Sequence, residues 1–425
     1  MIIHVVEPGE TIYSIAEDYN VDPARLILDN DLIDPEFLAV GQTIIIVYPE
    51  QIHIVAEGDT LAGIADSYNM TVLDLLRNNP FLIDRDYLYE GEMLVIRYAD
   101  ERKGNIKTNG YAYPFIDKNI LEKNLLYLTY LSIFSYSISP DGTLDDIDDI
   151  ELVNLARQYN VAPIMVISNV TEEGGYNRDI IHNLLTDTAL QNNMFDSIIQ
   201  ISKEKGYYGV NIDTPYIYPE DRERYIEVIT NLTNRLKSEG IYVFITVSPN
   251  AFGGSELLEY NVINYAAVAE IIDGVVLLTY SWGYLSEIPM SAIPFNYSQV
   301  LLSYLTTLIP PEKINVGVTT IGYIFELPFI EGISRAVSIS NANAIELAVD
   351  AGTEIYFNQN NLSSYFYIMN ENLSLVYFHN GRSLNAYLSL ATQQNLQGIA
   401  IWNVMYFLAQ EFLIIHTQYY IDKVI

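Results

Sequence analysis

The sequence predicts an α/β protein in which a (β/α)8 TIM barrel with a small α+β insertion follows two short modules. Beyond residue 108, short apolar runs alternate with amphipathic segments of helix length, which is typical of a parallel sheet. Eight such strand–helix pairs fit between residues 109 and 425. Residues 1–98 contain an internal repeat, which indicates two copies of one smaller fold.

The eight predicted barrel strands are short runs rich in Val, Ile, Leu and Tyr. They lie at residues 110–113, 127–135, 162–167, 209–213, 242–247, 274–280, 315–322 and 398–402. Helices are predicted at residues 147–159, 193–205, 221–239, 260–272, 298–308 and 383–394. The segment before the eighth strand is too long for one helix, and it contains strand-like runs at 354–358, 364–368 and 374–378. We therefore place the insertion at about residues 324–382.

The repeat aligns residues 4–20 with residues 53–69 at an offset of 49. Each copy begins with a short strand and a Gly-acid-Thr turn, after which Thr11 or Thr60 can cap a helix. A second amphipathic segment ends at Asn30 or Asn79, and closing strands follow at 43–48 and 93–98. The sequence thus predicts βααβ modules at residues 1–49 and 50–98. The polar, glycine-containing segment 99–108 is predicted to be the linker to the barrel at 109–425.

Composition excludes several classes of function. The chain carries 54 acidic and 21 basic side chains, and its net charge of -33 would repel nucleic acid and anionic polymers. It lacks cysteine, so disulfides and thiolate metal sites are excluded, and its five histidines indicate no catalytic metal. We expect no cofactor, and no run reaches the roughly 18 to 20 apolar residues of a membrane span. The first residues resemble a strand and not a signal peptide, so we expect synthesis in the cytoplasm without Sec export.

The repeated module resembles LysM. The similarity lies in the turn Val-x-x-Gly-acid-Thr-Ile/Leu, the asparagine ending the second helix, and the glycine before the last strand. It implies binding to N-acetylglucosamine polymers such as peptidoglycan or chitin. The implied contact residues are Gly9, Thr11, Ile12 and Asn30 in the first module and Gly58, Thr60, Leu61 and Asn79 in the second. Backbone N–H groups can bind an acetamido carbonyl, and Ile or Leu can cover its methyl. Alternatively, Gly and Thr make only the turn and the helix cap.

The large domain resembles the family-18 glycoside hydrolases, in particular the LysM-bearing N-acetylglucosaminidases of bacterial spores. The similarity rests on Gly209-Val-Asn-Ile-Asp213, Thr279-Tyr280 and Gly398-Ile-Ala-Ile-Trp402, among other segments. In that family the signature strand ends in a glutamic acid that protonates the glycosidic oxygen. Pro215 occupies that position here, and a proline side chain has no proton to donate.

Alternation along a strand places Asn211, Asp213 and Pro215 on one face, toward the barrel mouth. The resemblance implies that Asp213 orients the substrate's acetamido group, which itself attacks the anomeric carbon. It also implies that Tyr280 hydrogen-bonds that group and that Trp402 lies under the sugar. Ser281 follows Tyr280 where relatives carry Asp or Glu. Tyr111 and Tyr284 complete the candidate substrate-binding residues.

Three hypotheses remain at this point. The favoured one is a glycan-binding or structural protein of the spore coat or envelope, with an impaired barrel. Its partners would be peptidoglycan, other envelope proteins or further copies of the chain, and the 35 tyrosines suit such assembly. The second is an active N-acetylglucosaminidase acting on cortex peptidoglycan, with Glu172 or Glu173 as a substitute acid in preference to the segment 220–223. The third is a lectin-like receptor whose barrel cleft binds sugar.

Overall fold

The computed structural model describes residues 1–85, 87–99, 102–170, 177–247, 263–277, 289–292, 294–369 and 371–425. The first module comprises β1 (Ile2–Val5), α1 (Ile12–Asp18), α2 (Pro23–Asp29) and β2 (Thr43–Ile46). The second comprises β3 (Pro49–Ile54), α3 (Leu61–Ser67), α4 (Val72–Asn78), a 3-10 helix at Pro80–Asp84 and β4 (Met93–Tyr98). In each module the first and last strands pair antiparallel. Both βααβ predictions are therefore confirmed.

Seven barrel strands and their helices precede the insertion. The strands are β5 (Asn105–Ala112), β6 (Tyr130–Ser137), β7 (Ala162–Ser168), β8 (Gly209–Asp213), β9 (Tyr242–Val247), β10 (Gly274–Leu277) and β11 (Ile314–Thr319). The helices are α5 (Lys118–Leu125), α6 (Ile150–Gln158), α7 (Arg178–Thr186), α8 (Thr188–Lys205), α9 (Arg222–Ser238), α10 (Tyr265–Ile271) and α11 (Phe295–Leu305). One-turn helices lie at Pro219–Asp221 and Pro311–Lys313.

The insertion is a five-stranded antiparallel sheet with one helix packed on one face. Its elements are β12 (Ile321–Glu326), β13 (Val337–Ser340), α12 (Asn341–Asp350), β14 (Tyr356–Asn358), β15 (Ser363–Met369) and β16 (Leu373–Phe378). Then follow α13 (Gly381–Gln393), the eighth barrel strand β17 (Gly398–Trp402), α14 (Ala409–Gln418) and β18 (Tyr420–Ile421). Ala344 and Ala348 of α12 share a core with Phe366, Val376 and Phe378 of the sheet. The predicted α+β insertion is present.

The barrel closes through parallel pairing of all eight strands. Each strand pairs with the next along the chain, and β17 pairs with β5, with Trp402 opposite Tyr111. The predicted (β/α)8 architecture is therefore confirmed. The first strand begins at Asn105, inside the segment predicted as linker, because Ile106 is buried and the Thr108 hydroxyl donates to the Tyr127 carbonyl.

The two modules are joined to each other and to the barrel through buried polar contacts. The Arg25 guanidinium, 5% exposed, donates to Asp29 at 2.8 Å, to the Asn79 amide oxygen at 2.8 Å and to the Tyr98 hydroxyl at 2.7 Å. The His416 imidazole of the barrel lies 2.7 Å from the Asn78 amide oxygen. Buried charged and polar groups are costly to leave unpaired. The modules are therefore fixed parts of the molecule and not flexibly tethered domains.

Two further features bear on function. Within the described ranges, no helix combines the length and apolarity needed to cross a bilayer. Over the same residues, His, Asp and Glu side chains form no cluster of three that could hold a metal ion.

Candidate functional site

Three neighbouring strands bring polar side chains together at the carboxyl end of the barrel. Asp213 ends β8, Ser168 ends β7 directly opposite it, and Thr246 lies near the end of β9. The Ser168 hydroxyl donates to the Asp213 carboxylate at 3.2 Å. Burial raises the pKa of Asp213 to about 6, although bonds from the Thr246 and Ser168 hydroxyls lower it. The Asp213 carboxyl is thus partly protonated near pH 6.

Asn211 lies two residues before Asp213 and is wholly buried. Its amide nitrogen donates to the Thr246 hydroxyl at 3.0 Å and to the Tyr111 hydroxyl at 3.2 Å. Its amide oxygen is buried without a hydrogen-bond partner. Burial, followed by the nearby Asp213 charge, raises the pKa of Tyr111 far above its usual range. The Tyr111 hydroxyl is therefore a neutral group, and Tyr111 links Asn211 to the aromatic residues around Trp402.

The aromatic side of the mouth is built around Trp402, which is half-buried. Its ring centroid lies 5.7 Å from that of Tyr111, 5.1 Å from Phe134 and 6.0 Å from Tyr113. The three neighbours fix the indole, and one part of it remains accessible. A fixed, partly exposed indole can stack against the apolar face of a sugar ring.

Pro215 is buried two residues beyond Asp213 and contributes no ionisable group. The next carboxylates along the chain are directed elsewhere or exposed. Asp221 is buried, with a carboxylate oxygen 2.8 Å from the His182 imidazole, and Glu220 is exposed. Both lie in the one-turn helix that leads into α9. The other predicted residues of the mouth lie outside the described residues: Glu172, Glu173, Tyr280, Ser281 and Tyr284.

Sequence reasoning missed four residues of this site. Ser168 and Thr246 hold the polar pair, while Tyr113 and Phe134 surround Trp402. A hydroxyl residue at the carboxyl end of a long apolar run is a usable signal for the first two, because that end of a barrel strand faces the mouth. The aromatic residues carry no such signal, since tyrosine and phenylalanine also fill cores.

The predicted contact turns have the same geometry in both modules. Gly9 and Gly58 have φ angles of 88° and 87°, a region that favours glycine. The Thr11 and Thr60 hydroxyls each accept from the backbone N–H three residues on, at 3.1 Å. These four residues form the turn and the helix cap, and all four are exposed.

Asn30 and Asn79 are buried and serve the modules internally. Each amide nitrogen donates to the carbonyl four residues back and to a carbonyl of the closing strand, that of Ile45 or Val95. Each amide oxygen accepts the backbone N–H of the same strand residue, at 2.7 Å for Asn30 and 2.9 Å for Asn79. Both amides therefore hold the second helix to the closing strand, and any effect on a ligand would be indirect.

The apolar residues after the two threonines differ. Leu61 is partly exposed and lines a groove of about 540 Å³ together with Thr60, Ala62, Arg85 and Tyr87. Ile12, which aligns with Leu61, is 0% exposed and belongs to the core of the first module. Leu61 can contact a ligand in this groove, whereas Ile12 presents no surface to one.

The chain matches two known families over nearly its whole length. Residues 98–406 match the glycosyl hydrolases family 18, and residues 4–47 and 53–97 each match the LysM domain. The cortical fragment-lytic enzyme of Bacillus subtilis (strain 168) is 30% identical over 433 residues, which cover 100% of this chain and 99% of that protein. The protein of the same name from Bacillus anthracis is 29% identical over 411 residues, covering 95% and 94%.

Solved structures agree with these matches. The Bacillus cereus spore cortex-lytic enzyme SleL superposes with a TM-score of 0.82 at 28% identity, covering 99% of this chain and 98% of that one. The chain therefore belongs to the glycosyl hydrolases family 18 and carries two LysM domains before its barrel.

Proposed function

We propose that this chain binds N-acetylglucosamine glycan, such as peptidoglycan, in the spore envelope, and that its barrel is catalytically impaired. The observation that carries the proposal is Pro215, at the position where the resemblance to family 18 implies the proton donor. The relatives' names, cortical fragment-lytic and spore cortex-lytic enzyme, support an association with spores and their peptidoglycan. The LysM matches support glycan binding.

The proposal separates two requirements of substrate-assisted hydrolysis. The substrate's acetamido oxygen must be oriented for attack, and the leaving oxygen must receive a proton. Asp213 and Asn211 lie in the mouth and suit the first task. Pro215 cannot perform the second, and general acid catalysis is worth roughly 10²- to 10⁴-fold in rate. The cost is greatest for a sugar leaving group, because an unprotonated alkoxide departs poorly.

An active N-acetylglucosaminidase is the second candidate. The observation that favours it is the pKa of Asp213, which burial raises to about 6, so that a protonated carboxyl is available in the mouth at mildly acidic pH. Glu172 and Glu173 follow β7 in the sequence and are further candidate donors. This alternative requires one of these carboxyls to reach the glycosidic oxygen.

Turnover of purified cortex fragments distinguishes the two candidates. Wild-type protein and Pro215→Glu are compared by chromatographic separation of the released sugars. The proposal predicts negligible release by the wild type and a gain of about 10²- to 10⁴-fold in the variant, since a carboxylic acid is restored at the strand end. Pro215→Ala is the matched control, because it removes the proline without adding an acid. Efficient release by the wild type would overturn the impairment.

The location is proposed on the same basis. A coat or envelope protein would be retained on purified spores and released with the peptidoglycan-bound fraction. Other envelope proteins and further copies of the chain are the proposed partners besides glycan. Fractionation of spores with an antibody against the chain tests this, and recovery only from the vegetative cytosol would contradict it.

A further inference from the structure

The two LysM domains share a sequence motif but present different surfaces to a ligand. Leu61 lines an open groove of the second domain, while Ile12 of the first is wholly buried. Tyr87, 57% exposed, and Arg85, whose guanidinium also donates to the Glu92 carboxylate, line the same groove. An apolar side chain, an exposed aromatic ring and a hydrogen-bond donor are the usual lining of a sugar site.

A side-chain bridge occupies the corresponding space of the first domain. The Tyr13 hydroxyl of α1 donates to the Glu36 carboxylate at 3.0 Å, so the pair spans the gap between α1 and the loop before β2. At the offset of 49 residues, Tyr13 aligns with Ala62 and Glu36 aligns with Arg85. Ala62 is too short to cross the groove of the second domain, which is open.

The first domain is also committed to a contact with the barrel insertion. The Ile355 N–H donates to the Val40 carbonyl at 2.8 Å. A Cβ added to Gly41 would lie 1.9 Å from the Ile355 carbonyl oxygen, whereas a Cβ on Gly91, the glycine before the closing strand of the second domain, would meet nothing within 4 Å. Both glycines have nearly the same φ, 85° and 86°. The same turn is thus a docking surface in the first domain and solvent-exposed in the second.

A pair of hydrogen bonds also joins the first domain to the barrel helix α14. The Gln410 side chain of α14 donates to the Thr43 carbonyl at 2.9 Å and accepts from the Thr43 hydroxyl at 3.2 Å. Both residues are at most 2% exposed. Buried, reciprocal bonds of this kind fix orientation and are costly to break one-sidedly.

We propose that the two LysM domains have divided roles: the second holds the glycan in its open groove, and the first docks on the barrel insertion. The inference rests on the proposed glycan binding and goes beyond it by assigning the site to one domain. The inference is testable because each surface can be changed at an exposed residue outside the core.

The test is isothermal titration of the full chain with the N-acetylglucosamine hexamer. Ala62→Tyr places a ring across the second groove and imitates the first domain. Ile33→Asp alters the first domain's loop at a side chain that is 79% exposed. We expect Ala62→Tyr to remove one binding site per chain or weaken it at least about tenfold. Ile33→Asp should keep the affinity within about twofold.

The outcomes separate this inference from the function on which it rests. Wild-type affinity and stoichiometry in Ala62→Tyr, or a tenfold loss in Ile33→Asp, would overturn the division of roles while glycan binding stands. Absence of wild-type binding to both the hexamer and purified peptidoglycan would overturn glycan binding and the division together. Thermal unfolding of each variant shows whether a loss reflects the groove or the fold.

Discussion

The barrel mouth and the second LysM domain differ in how easily their functions are lost. The groove of the second domain is lined by several side chains from two segments, so no one residue holds its whole binding surface. In the proposed function, proton donation in the barrel would depend on one side chain, at the position that Pro215 occupies. Binding is spread over many contacts and acid catalysis is concentrated in one group, so a single substitution removes proton donation more readily than it removes glycan binding.

The largest expected effect concerns Asp213 once an acid has been restored. In the Pro215→Glu background, Asp213→Asn should lower turnover of cortex fragments by about 10²- to 10³-fold, because an uncharged amide stabilises the developing positive charge on the acetamido group less well. Steady-state kinetics on the two proteins measures this. An unchanged rate would show that Asp213 has no part in orienting or stabilising the substrate.

The burial of Asp213 should make the free energy of unfolding depend on pH. The folded-state pKa of Asp213 is raised from 3.8 to about 6. The stability that the protonated Asp213 carboxyl gives the fold is therefore fully present below pH 3.8 and is lost as the pH rises through 6. Above pH 6, Asp213→Asn should therefore be more stable than the wild type, by up to about 3 kcal/mol. The difference should shrink as the pH falls toward 4.

Urea unfolding from pH 8 to pH 5 measures that difference. Asp18→Asn is the control, because Asp18 is exposed to water in the folded chain. A constant difference between wild type and Asp213→Asn over this range would contradict the raised pKa.

Gly41 and Gly91 sharpen the comparison of the two LysM domains. Alanine at either position is strained by the positive φ, which costs about 1 kcal/mol. Gly41→Ala should cost about 1–3 kcal/mol more than Gly91→Ala, since its Cβ overlaps the Ile355 carbonyl. Urea unfolding of the two variants at one pH measures the difference. Equal losses of stability would show that the contact between Gly41 and Ile355 can adjust to the added methyl group without a free-energy penalty.

The smallest expected effect distinguishes capping from binding. Thr11→Val and Thr60→Val each remove a helix cap and should cost about 1 kcal/mol of stability alike. Only Thr60→Val should also weaken binding of the N-acetylglucosamine hexamer, because Thr60 lines the open groove. Parallel calorimetric titration and thermal unfolding check both statements. A weaker complex in Thr11→Val would place the first domain among the binding surfaces.

Local patterns were enough to predict the main architecture. The eight barrel strands follow from apolar runs of strand length, and the two modules follow from the repeat. The start of the first strand was missed because the residues from Asn105 to Thr108 are mostly polar, although the structure pairs them with distant strands. A polar segment has the composition of a linker even when it forms a strand, if the residues that bury it are remote in the chain.

The candidate site was predictable along one strand and not across strands. Asn211 and Asp213 share a face because side chains alternate, whereas their partners Ser168 and Thr246 come from neighbouring strands. The difference between Ile12 and Leu61 is invisible in an alignment, since both are apolar residues after a threonine. The docking of Gly41 on Ile355 joins residues far apart in sequence, and only the fold brings them together.

The impairment of the barrel is tested most directly by how the wild-type rate depends on the leaving group. A series of aryl N-acetylglucosaminides whose phenols span several pKa units would be hydrolysed by wild type and Pro215→Glu at one pH. Without a proton donor, the wild-type rate should fall steeply as the phenol becomes less acidic, and Pro215→Glu should flatten that dependence. A shallow dependence in the wild type, unchanged by the substitution, would show that another group delivers the proton and would contradict the account.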